Sequence, residues 1–547
     1  MTRLALGLDF GTESVRALLV DCDGGGEVAQ AVAPFAHGVM SARLLPAGPS
    51  LPAEFALQDP GDYLHGMQRV VREAMAAAGA RPEHVLGIGI DFTACTPLPV
   101  TAEAGPLCFL PEFRAEPHAW VKLWKHHGAI AEAERINATA RQRGEPWLSR
   151  FGGNTSSEWL LAKLLETWRH APAVLTRAAR FLEASDWIVW QLTGREVRGA
   201  CAAGYKGTRL GQDYPAAEFL AAVDPDLPAL TRRLLGGEHK AAGLRAGGLT
   251  PAAAEQLGLR PGTAVSPAII DAHAAVPGCG VTGPGTLVII CGTSGCHMLM
   301  SEREVLVPGI QGVVRDGILP GWFGYEAGQA AMGDVFAWYE KHALPAELAE
   351  RARAAGVAPL QLVTDLAAAL PAGAAGCLAL DWWNGNRSIL IDPLLSGAIL
   401  GLSIHTRPEQ VFRALLDGVA FGTRTIVDNF VQHGLAIDRV VVTGGIAERN
   451  APFLQILADV LDRPIARARS AQACALGAAL LGAVAAGVFA DAASAAQAMV
   501  APPGATFTPR AANRSAYDAL FQLYRELHES LGRRGELLHR LRALARP

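Results

Sequence analysis

Two segments of the chain share one pattern, an apolar strand that turns at a small polar motif and continues as a second apolar strand. The first covers residues 4–20 and turns at Gly11-Thr12, and the second covers residues 286–300 and turns at Gly292-Thr293-Ser294-Gly295. A motif that opens both halves of a chain is typical of internal duplication. The repetition therefore predicts two related halves that grip one nucleotide from both sides.

The turns have the chemistry that a phosphate group requires. Glycine lets the main chain approach a ligand closely, and the free N–H groups and hydroxyls of such a turn can receive phosphate oxygens. Asp9 ends the first strand, and its carboxylate can hold a hydrated Mg²⁺. The chain contains no Gly-Lys-Ser/Thr motif, so ATP would be bound without a Walker loop. Either turn alone could equally be an ordinary hairpin, but together they favour ATP binding.

Two further motifs in the second half are candidates for the same site. Asp271 ends an apolar strand and is followed by small residues that open a helix, which is where general bases lie in α/β sheets. The alternative is a simple helix N-cap. Gly444-Gly445 follows the apolar run Val440–Thr443, and glycines there would let a purine lie against the main chain. The alternative is a plain connection between a strand and a helix.

Three isolated positions are candidates for a sugar pocket. One is the segment Thr93-Ala94-Cys95-Thr96-Pro97, and the other two are Lys206 within Ala-Gly-Tyr-Lys-Gly and Glu326 within Gly-Tyr-Glu-Ala-Gly. Each places a polar group among small residues, and a sugar needs one or two such groups for each hydroxyl. Any one of them alone could be a surface or capping residue.

Composition limits the classes of function. The chain has 547 residues, is 50% hydrophobic and carries a net charge of −4 without a polybasic run, which argues against nucleic acid and anionic membranes as partners. Asp9 interrupts the first apolar stretch, so no secretory signal is predicted. The nine cysteines form no C-x-x-C pair, which indicates reduced thiols in a cytoplasmic protein.

The organisation of the chain follows from its turn and strand signals. A Gly- and Pro-rich seam at residues 243–266 precedes a new buried strand, so we place an N-terminal domain at residues 1–255 and a C-terminal domain at residues 256–547. Residues 473–490 carry no charge but are mostly alanine and glycine, which favours a buried helix packed through small residues over a membrane span.

The motifs, taken together and in order, resemble those of the FGGY family of carbohydrate kinases, within the sugar kinase/Hsp70/actin superfamily. The resemblance covers nearly the whole chain. It is carried by these segments: Gly7–Ala17, Asp91–Pro97, Pro111-Glu-Phe, Leu123–His127, Ser156–Trp159 with Lys163, Asp186-Trp187, Asp271-Ala-His, Cys291–Ser294, Glu326–Ala330, Asp381–Gly385 and Thr443–Ala447.

The resemblance implies an α/β fold of two actin-like, ribonuclease H-like domains with a cleft between them. It implies sugar bound mainly by the first domain and ATP mainly by the second. It assigns the catalytic base to Asp271 and the magnesium-associated carboxylate to Asp9. The remaining roles that it implies are phosphate binding by Gly11, Thr12, Thr293 and Ser294, adenosine-side contacts by Gly444 and Gly445, and contacts to the sugar by Ala94, Lys206, Asp271 and Glu326.

The function that the resemblance implies is phosphorylation of a ketopentose by MgATP, with the 5-hydroxyl of L-ribulose as the first candidate acceptor. Related acceptors, namely D-ribulose, ribitol and xylulose, stay open, as does assembly into a homo-oligomer. A rival of another class is a non-catalytic actin-like or Hsp70-like module that binds ATP. A dehydrogenase is disfavoured, because Gly278-Cys-Gly280-Val-Thr-Gly283 is followed directly by Pro284, where a helix should run.

Overall fold

The computed structural model describes residues 2–545, and within them two seven-stranded sheets form the framework. The first sheet has the order β5-β6-β4-β1-β2-β3, and β7 also pairs with β4. Its strands are β1 (Leu4–Phe10), β2 (Ser14–Asp21), β3 (Glu27–Pro34), β4 (Val85–Phe92), β5 (Gly247–Gly248), β6 (Ala264–Val265) and β7 (Ile269–Ile270).

The second sheet repeats the plan of the first and has the order β10-β11-β9-β8-β12-β13-β14. In each sheet an antiparallel hairpin, β1-β2 or β8-β9, lies beside a parallel partner, β4 or β12. This confirms the predicted duplication. Its strands are β8 (Gly285–Cys291), β9 (Gly295–Ser301), β10 (Gly312–Arg315), β11 (Phe323–Gln329), β12 (Ile437–Thr443), β13 (Ile465–Arg467) and β14 (Thr506–Phe507).

Helices cover the sheets and fill the region between residues 130 and 257. Those of the first half are α1 (Pro60–Ala77), α2 (Ile130–Arg143), α3 (Leu160–His170), α4 (Pro172–Arg177), α5 (Ala184–Thr193), α6 (Ala200–Tyr205), α7 (Ala217–Val223), α8 (Leu227–Leu234) and α9 (Pro251–Leu257). Those that follow are α10 (Asp271–Gly278), α11 (Gly333–His342), α12 (Ala346–Ala355), α13 (Pro359–Ala368), α14 (Pro408–Gln432), α15 (Gly445–Arg449), α16 (Ala451–Leu461), α17 (Ala473–Ala485), α18 (Ala492–Met499), α19 (Arg514–Leu527) and α20 (Leu537–Ala545).

Helices α10 and α17 pack against each other between the two sheets. One hydrophobic cluster includes residues of both helices, of β1 and β2, and of β8 and β9, so a single apolar layer joins the two halves. Helix α17 also lies close against the first sheet, since an added Cβ at Gly89 of β4 would overlap the carbonyl oxygen of Ala478 in α17. The uncharged stretch at residues 473–490 therefore contains a buried helix packed through small residues, as predicted. None of the helices within residues 2–545 is both long and apolar enough to cross a membrane.

The first sheet also uses residues beyond the proposed domain boundary at 255–256. Strands β6 and β7 pair with β4 and so belong to the first sheet. The predicted strand Ala264–Ile270 is interrupted at Pro267, which has no main-chain N–H to donate to the sheet. Ser266 before it still donates its N–H to the carbonyl of Ile88 in β4 at 2.9 Å, and its hydroxyl binds the main chain at Gly243 and Pro267. This places the end of β7, and Asp271 after it, at the edge of the first sheet.

Candidate functional site

Three carboxylates meet at one edge of the first sheet. Asp9 of β1 is the direct parallel partner of Asp91 on β4, and Asp91 is in turn the partner of Ile269 on β7. Asp271 follows β7 immediately as the first residue of α10. Because the carboxyl ends of parallel strands lie at the same edge, the register alone brings Asp9 and Asp271 together. Asp91 lies between them, and the sequence assigned it no role.

Asp271 has the environment of a base that works near neutral pH. Its Oδ1 accepts a hydrogen bond from the main-chain N–H of Ala272 at 2.6 Å. Burial raises the pKa of Asp271 to about 7, the N–H of Ala272 opposes the rise, and the charges of Asp9 and Glu326 add to it. A carboxylate with a raised pKa is a stronger proton acceptor than an ordinary aspartate.

Asp9 and Asp91 share a region rich in oxygen acceptors. Arg16 of β2 donates to Oδ2 of Asp9 at 2.9 Å. Both carboxylate oxygens of Asp91 are fully buried and have no hydrogen-bond partner within the described residues. Burial, and then the charges of Asp9 and Asp271, hold the pKa of Asp91 well above its ordinary value. No group of three or more potential metal ligands occurs within residues 2–545, so a cage built from protein side chains alone is not present there.

The turn at Gly11-Thr12 is held rigidly and leaves amide donors free. The N–H of Gly11 donates to the carbonyl of Ser14 at 2.9 Å, whereas the N–H groups of Thr12 and Glu13 have no acceptor within the described residues. Trp124 donates its indole N–H to the Thr12 hydroxyl at 3.1 Å, and Gln58 donates to the Thr12 carbonyl at 2.7 Å. No sequence signal pointed to Gln58, and Trp124 stood out only as part of a segment that resembles the family.

The second turn is also closed by a main-chain hydrogen bond, but this bond joins residues two apart in sequence instead of three. Here the N–H of Gly292 donates to the carbonyl of Ser294 at 3.0 Å, and the N–H groups of Thr293 and Ser294 have no acceptor within residues 2–545. The carbonyl of Thr293 accepts from Met332 at 2.8 Å and from Asp334 at 3.2 Å, which fixes the turn on the start of α11. Thr293 is exposed. Each half of the chain therefore presents a rigid turn with free amide donors, which is the arrangement that binds phosphate oxygens.

Gly444 lies directly against the second turn. Its φ of 94° is one that L side chains rarely adopt, and an added Cβ would lie 2.8 Å from the carbonyl oxygen of Cys291, the residue before the turn. Gly445 then begins α15. The structure thus joins the glycine pair and the turn at Thr293-Ser294 into one continuous surface at the end of β8 and β12.

Lys206 and Glu326 form a buried ion pair next to Asp271. The Lys206 Nζ lies 2.7 Å from both carboxylate oxygens of Glu326, and both side chains are at most 10% exposed. Burial alone would lower the pKa of Lys206 and raise that of Glu326, but each is shifted the opposite way by the charge of the other. His273 lies 3.6 Å from Glu326 and is kept neutral at physiological pH, because burial lowers its pKa to about 4.

Ala94 lies in a loop that Lys163 fastens. The Lys163 Nζ donates to the carbonyls of Cys95 at 2.7 Å and of Leu123 at 2.8 Å, in a fully buried position. Leu123 precedes Trp124, so one ammonium group ties the loop of Ala94 to the residue that braces Thr12. From the sequence, Lys163 was recognised only as part of the family resemblance. Its structural role was not predicted, because hydrogen bonds to distant main-chain carbonyls leave no signal in residue spacing.

Comparisons with known proteins show which family the chain resembles over nearly its whole length. A family model described as FGGY family of carbohydrate kinases, C-terminal domain, matches residues 287–486. Ribulokinase of Geobacillus thermodenitrificans is 48% identical over 536 residues, which is 97% of this chain and 95% of the relative. Ribulokinase of Shouchella clausii is 47% identical over 542 residues, with 97% and 96% covered.

Among solved structures, the crystal structure of xylulose kinase from Rhodospirillum rubrum matches with a TM-score of 0.79 and 25% identity, covering 98% of this chain and 100% of that one. The predicted fold of two actin-like domains is thereby confirmed. Because a relative is 48% identical over 97% of this chain, the chain belongs to the FGGY family of carbohydrate kinases and is ribulokinase-like.

Proposed function

We propose that the chain transfers the γ-phosphoryl group of ATP to the 5-hydroxyl of L-ribulose in the catabolism of L-arabinose. The name shared by relatives that are 48% and 47% identical over nearly their whole length supports a ketopentose as acceptor. The observation that carries the chemistry is the place of Asp271, at the edge of the first sheet beside Asp9 and next to the Lys206–Glu326 pair.

Asp271 would accept the proton of the attacking hydroxyl. With a pKa of about 7, its carboxylate is basic enough to take that proton as the bond to phosphorus forms. The neighbouring ion pair would orient the sugar, since Lys206 can donate to sugar oxygens and Glu326 can accept from its hydroxyls. Ala94 would contribute a small wall of the same pocket.

The free amides of the two turns would bind the phosphates of ATP. Donors that are fixed before the reaction stabilise the charge of the transferring group without reorganising. Gly11 and Thr12 would act from the first half, and Thr293 and Ser294 from the second, with Gly444 and Gly445 on the adenosine side. Closure of the cleft would exclude water, which otherwise competes with the sugar as the acceptor.

The residues at Asp9 fit a magnesium ion that is held mainly by ATP and water. Mg²⁺ at nucleotide sites is commonly bound through one or two carboxylates together with substrate phosphates. Asp91 lies beside Asp9 as its partner on the neighbouring strand, whereas a cage of three protein ligands is not found within residues 2–545. When bound, the ion neutralises negative charge on the phosphates of ATP.

A coupled assay of ADP release tests the proposal. Purified protein is given MgATP with L-ribulose, D-ribulose, ribitol or D-xylulose, and the initial rates are compared. We expect the highest kcat/KM with L-ribulose. A higher value with another acceptor would change the substrate and keep the reaction. Binding of ATP without any sugar-dependent ADP release would support the non-catalytic rival instead.

The unpaired thiols of the nine cysteines support a cytoplasmic location for this enzyme.

A further inference from the structure

Arg387 lies in a segment that is fastened to the strand of Glu326. The main-chain carbonyl of Arg387 accepts a hydrogen bond from the side chain of Gln311 at 2.7 Å. The hydroxyl of the next residue, Ser388, accepts from the N–H of Gly328 at 3.2 Å. Gly328 belongs to β11, two residues beyond Glu326. The main chain at Arg387 is therefore held in place by contacts that do not involve its guanidinium.

The side chain of Arg387 crosses the strand at Gly328. An added Cβ at Gly328 would lie 3.0 Å from Cδ and 3.7 Å from Nη1 of Arg387, so glycine leaves the space that the arginine occupies. Residues two apart on a strand face the same side of the sheet. Arg387 thus lies on the same face of β11 as Glu326. It lies closer than Glu326 to the turn at Thr293-Ser294.

Glu158 lies on the other side of this region, in the first half of the chain. Its neighbour Trp159 has its ring 5.9 Å from the Nζ of Lys206, and the N–H of Leu160 donates to the carbonyl of Lys206 at 3.0 Å. These contacts place Glu158 beside the Lys206–Glu326 pair. Arg387 and Glu158 therefore approach the same buried ion pair from different domains.

Neither charged group has a side-chain partner within residues 2–545. Within the described residues, the guanidinium of Arg387 and the carboxylate of Glu158 make no hydrogen bond and no ion pair, although both side chains are only partly exposed. Withdrawing a charge from water without a partner is costly, so such groups are commonly completed by a ligand. The positive charge of Arg387 adds to that of Lys206 in lowering the pKa of Glu326 against the effect of burial.

We propose that Arg387 and Glu158 are a second pair of sugar-binding residues, which hold the sugar from opposite walls of the cleft. Arg387 donates to a substrate oxygen from the ATP-side domain, and Glu158 accepts from a hydroxyl in the sugar-side domain. A polyhydroxylated sugar presents both kinds of group, whereas neither residue would suit an apolar ligand. The assignment rests on the proposed function only in taking the occupant of this pocket to be a sugar.

The test compares Arg387→Gln and Glu158→Gln with Arg439→Gln as a matched control. Arg439 is exposed on β12 of the same domain and makes no side-chain hydrogen bond or ion pair within residues 2–545, so its change should leave every parameter near wild type. Sugar binding is measured by calorimetry, and KM for sugar and for ATP by the ADP assay. We expect the sugar Kd and KM to rise about 10- to 100-fold in both site variants, the value of one hydrogen bond to a charged group, and KM for ATP to stay within about twofold.

Other outcomes separate this inference from the proposed function. An unchanged sugar Kd in both variants, with normal L-ribulose turnover, would overturn the inference alone. A rise in both KM values together, with the double variant no worse than either single one, would show that the two residues only latch the domains, and would also overturn it. If wild type prefers another sugar, that sugar is used in the same comparison. If wild type binds no sugar, both proposals fail.

Discussion

Lys206 and Glu326 are separated by 120 residues in sequence and belong to different halves of the chain, yet the Nζ of Lys206 lies 2.7 Å from both oxygens of Glu326. The pair crosses the cleft within the candidate sugar pocket. It thus combines a structural contact between the halves with two groups that can bind hydroxyls, and these two effects can be separated by mutation.

Lys206→Met should destabilise the protein by about 3–5 kcal/mol, because it leaves the Glu326 carboxylate buried without its partner. The double variant Lys206→Met/Glu326→Leu should regain most of the lost stability, since it removes both charges, but it should not regain sugar affinity. Thermal unfolding and calorimetric sugar binding measure the two properties separately. Recovery of sugar binding in the double variant would show that the pair only holds the halves together.

Asp271→Asn should lower kcat by about two to four orders of magnitude, the usual contribution of a general base, while sugar binding survives. The amide is close in size to the carboxylate and retains an oxygen for the N–H of Ala272. Steady-state turnover and calorimetric binding of the sugar provide the comparison with wild type. Full turnover in this variant would exclude Asp271 as the base.

The rate should also depend on pH in a direction set by Asp271. Burial raises the pKa of this carboxyl to about 7, and only the ionised form can accept a proton. Hence kcat/KM should rise about tenfold per pH unit below 7 and level off above it. The residual activity of Asp271→Asn should lack this acidic limb. A wild-type profile that is flat from about pH 5.5 to about pH 8 would contradict the assignment.

Trp124→Phe should raise KM for ATP several-fold, with little change in KM for sugar. The variant keeps an aromatic ring but loses the indole N–H that donates to the Thr12 hydroxyl, a contact that positions the first phosphate turn. Trp338→Phe is a suitable control, because Trp338 is 37% exposed on α11. Equal KM values for ATP in wild type and in Trp124→Phe would show that Trp124 does not position the first phosphate turn.

Gly89→Ala should destabilise the packing between β4 and α17 by at least about 1–3 kcal/mol, because the added methyl group overlaps the main chain at Ala478. The melting temperature should fall by roughly 2–4 °C per kcal/mol. Gly26→Ala is the control, since an added Cβ at Gly26 meets nothing within 4 Å. Equal melting temperatures for the two variants would mean that α17 shifts freely to accommodate the methyl group.

Local elements were accessible from the sequence because their signals lie within a few residues. The predicted hairpins at Gly11-Thr12 and at Thr293-Ser294, and the buried helix within residues 473–490, are all observed. The interruption between β6 and β7 was not foreseen, although Pro267 marks it in the sequence, because a proline has no main-chain N–H to donate to a neighbouring strand.

The residue types and spacings of the sequence determined the duplicated plan, the turns with free amides and the carboxylate at the end of a strand. Only the tertiary structure decided that Asp91 lies between Asp9 and Asp271, that Lys163 joins two loops, and that Arg387 crosses Gly328 with no partner for its guanidinium in the described part of the chain. Spacing along the chain encodes local hydrogen bonds and periodic burial, whereas contacts between residues far apart depend on the register and packing of whole sheets.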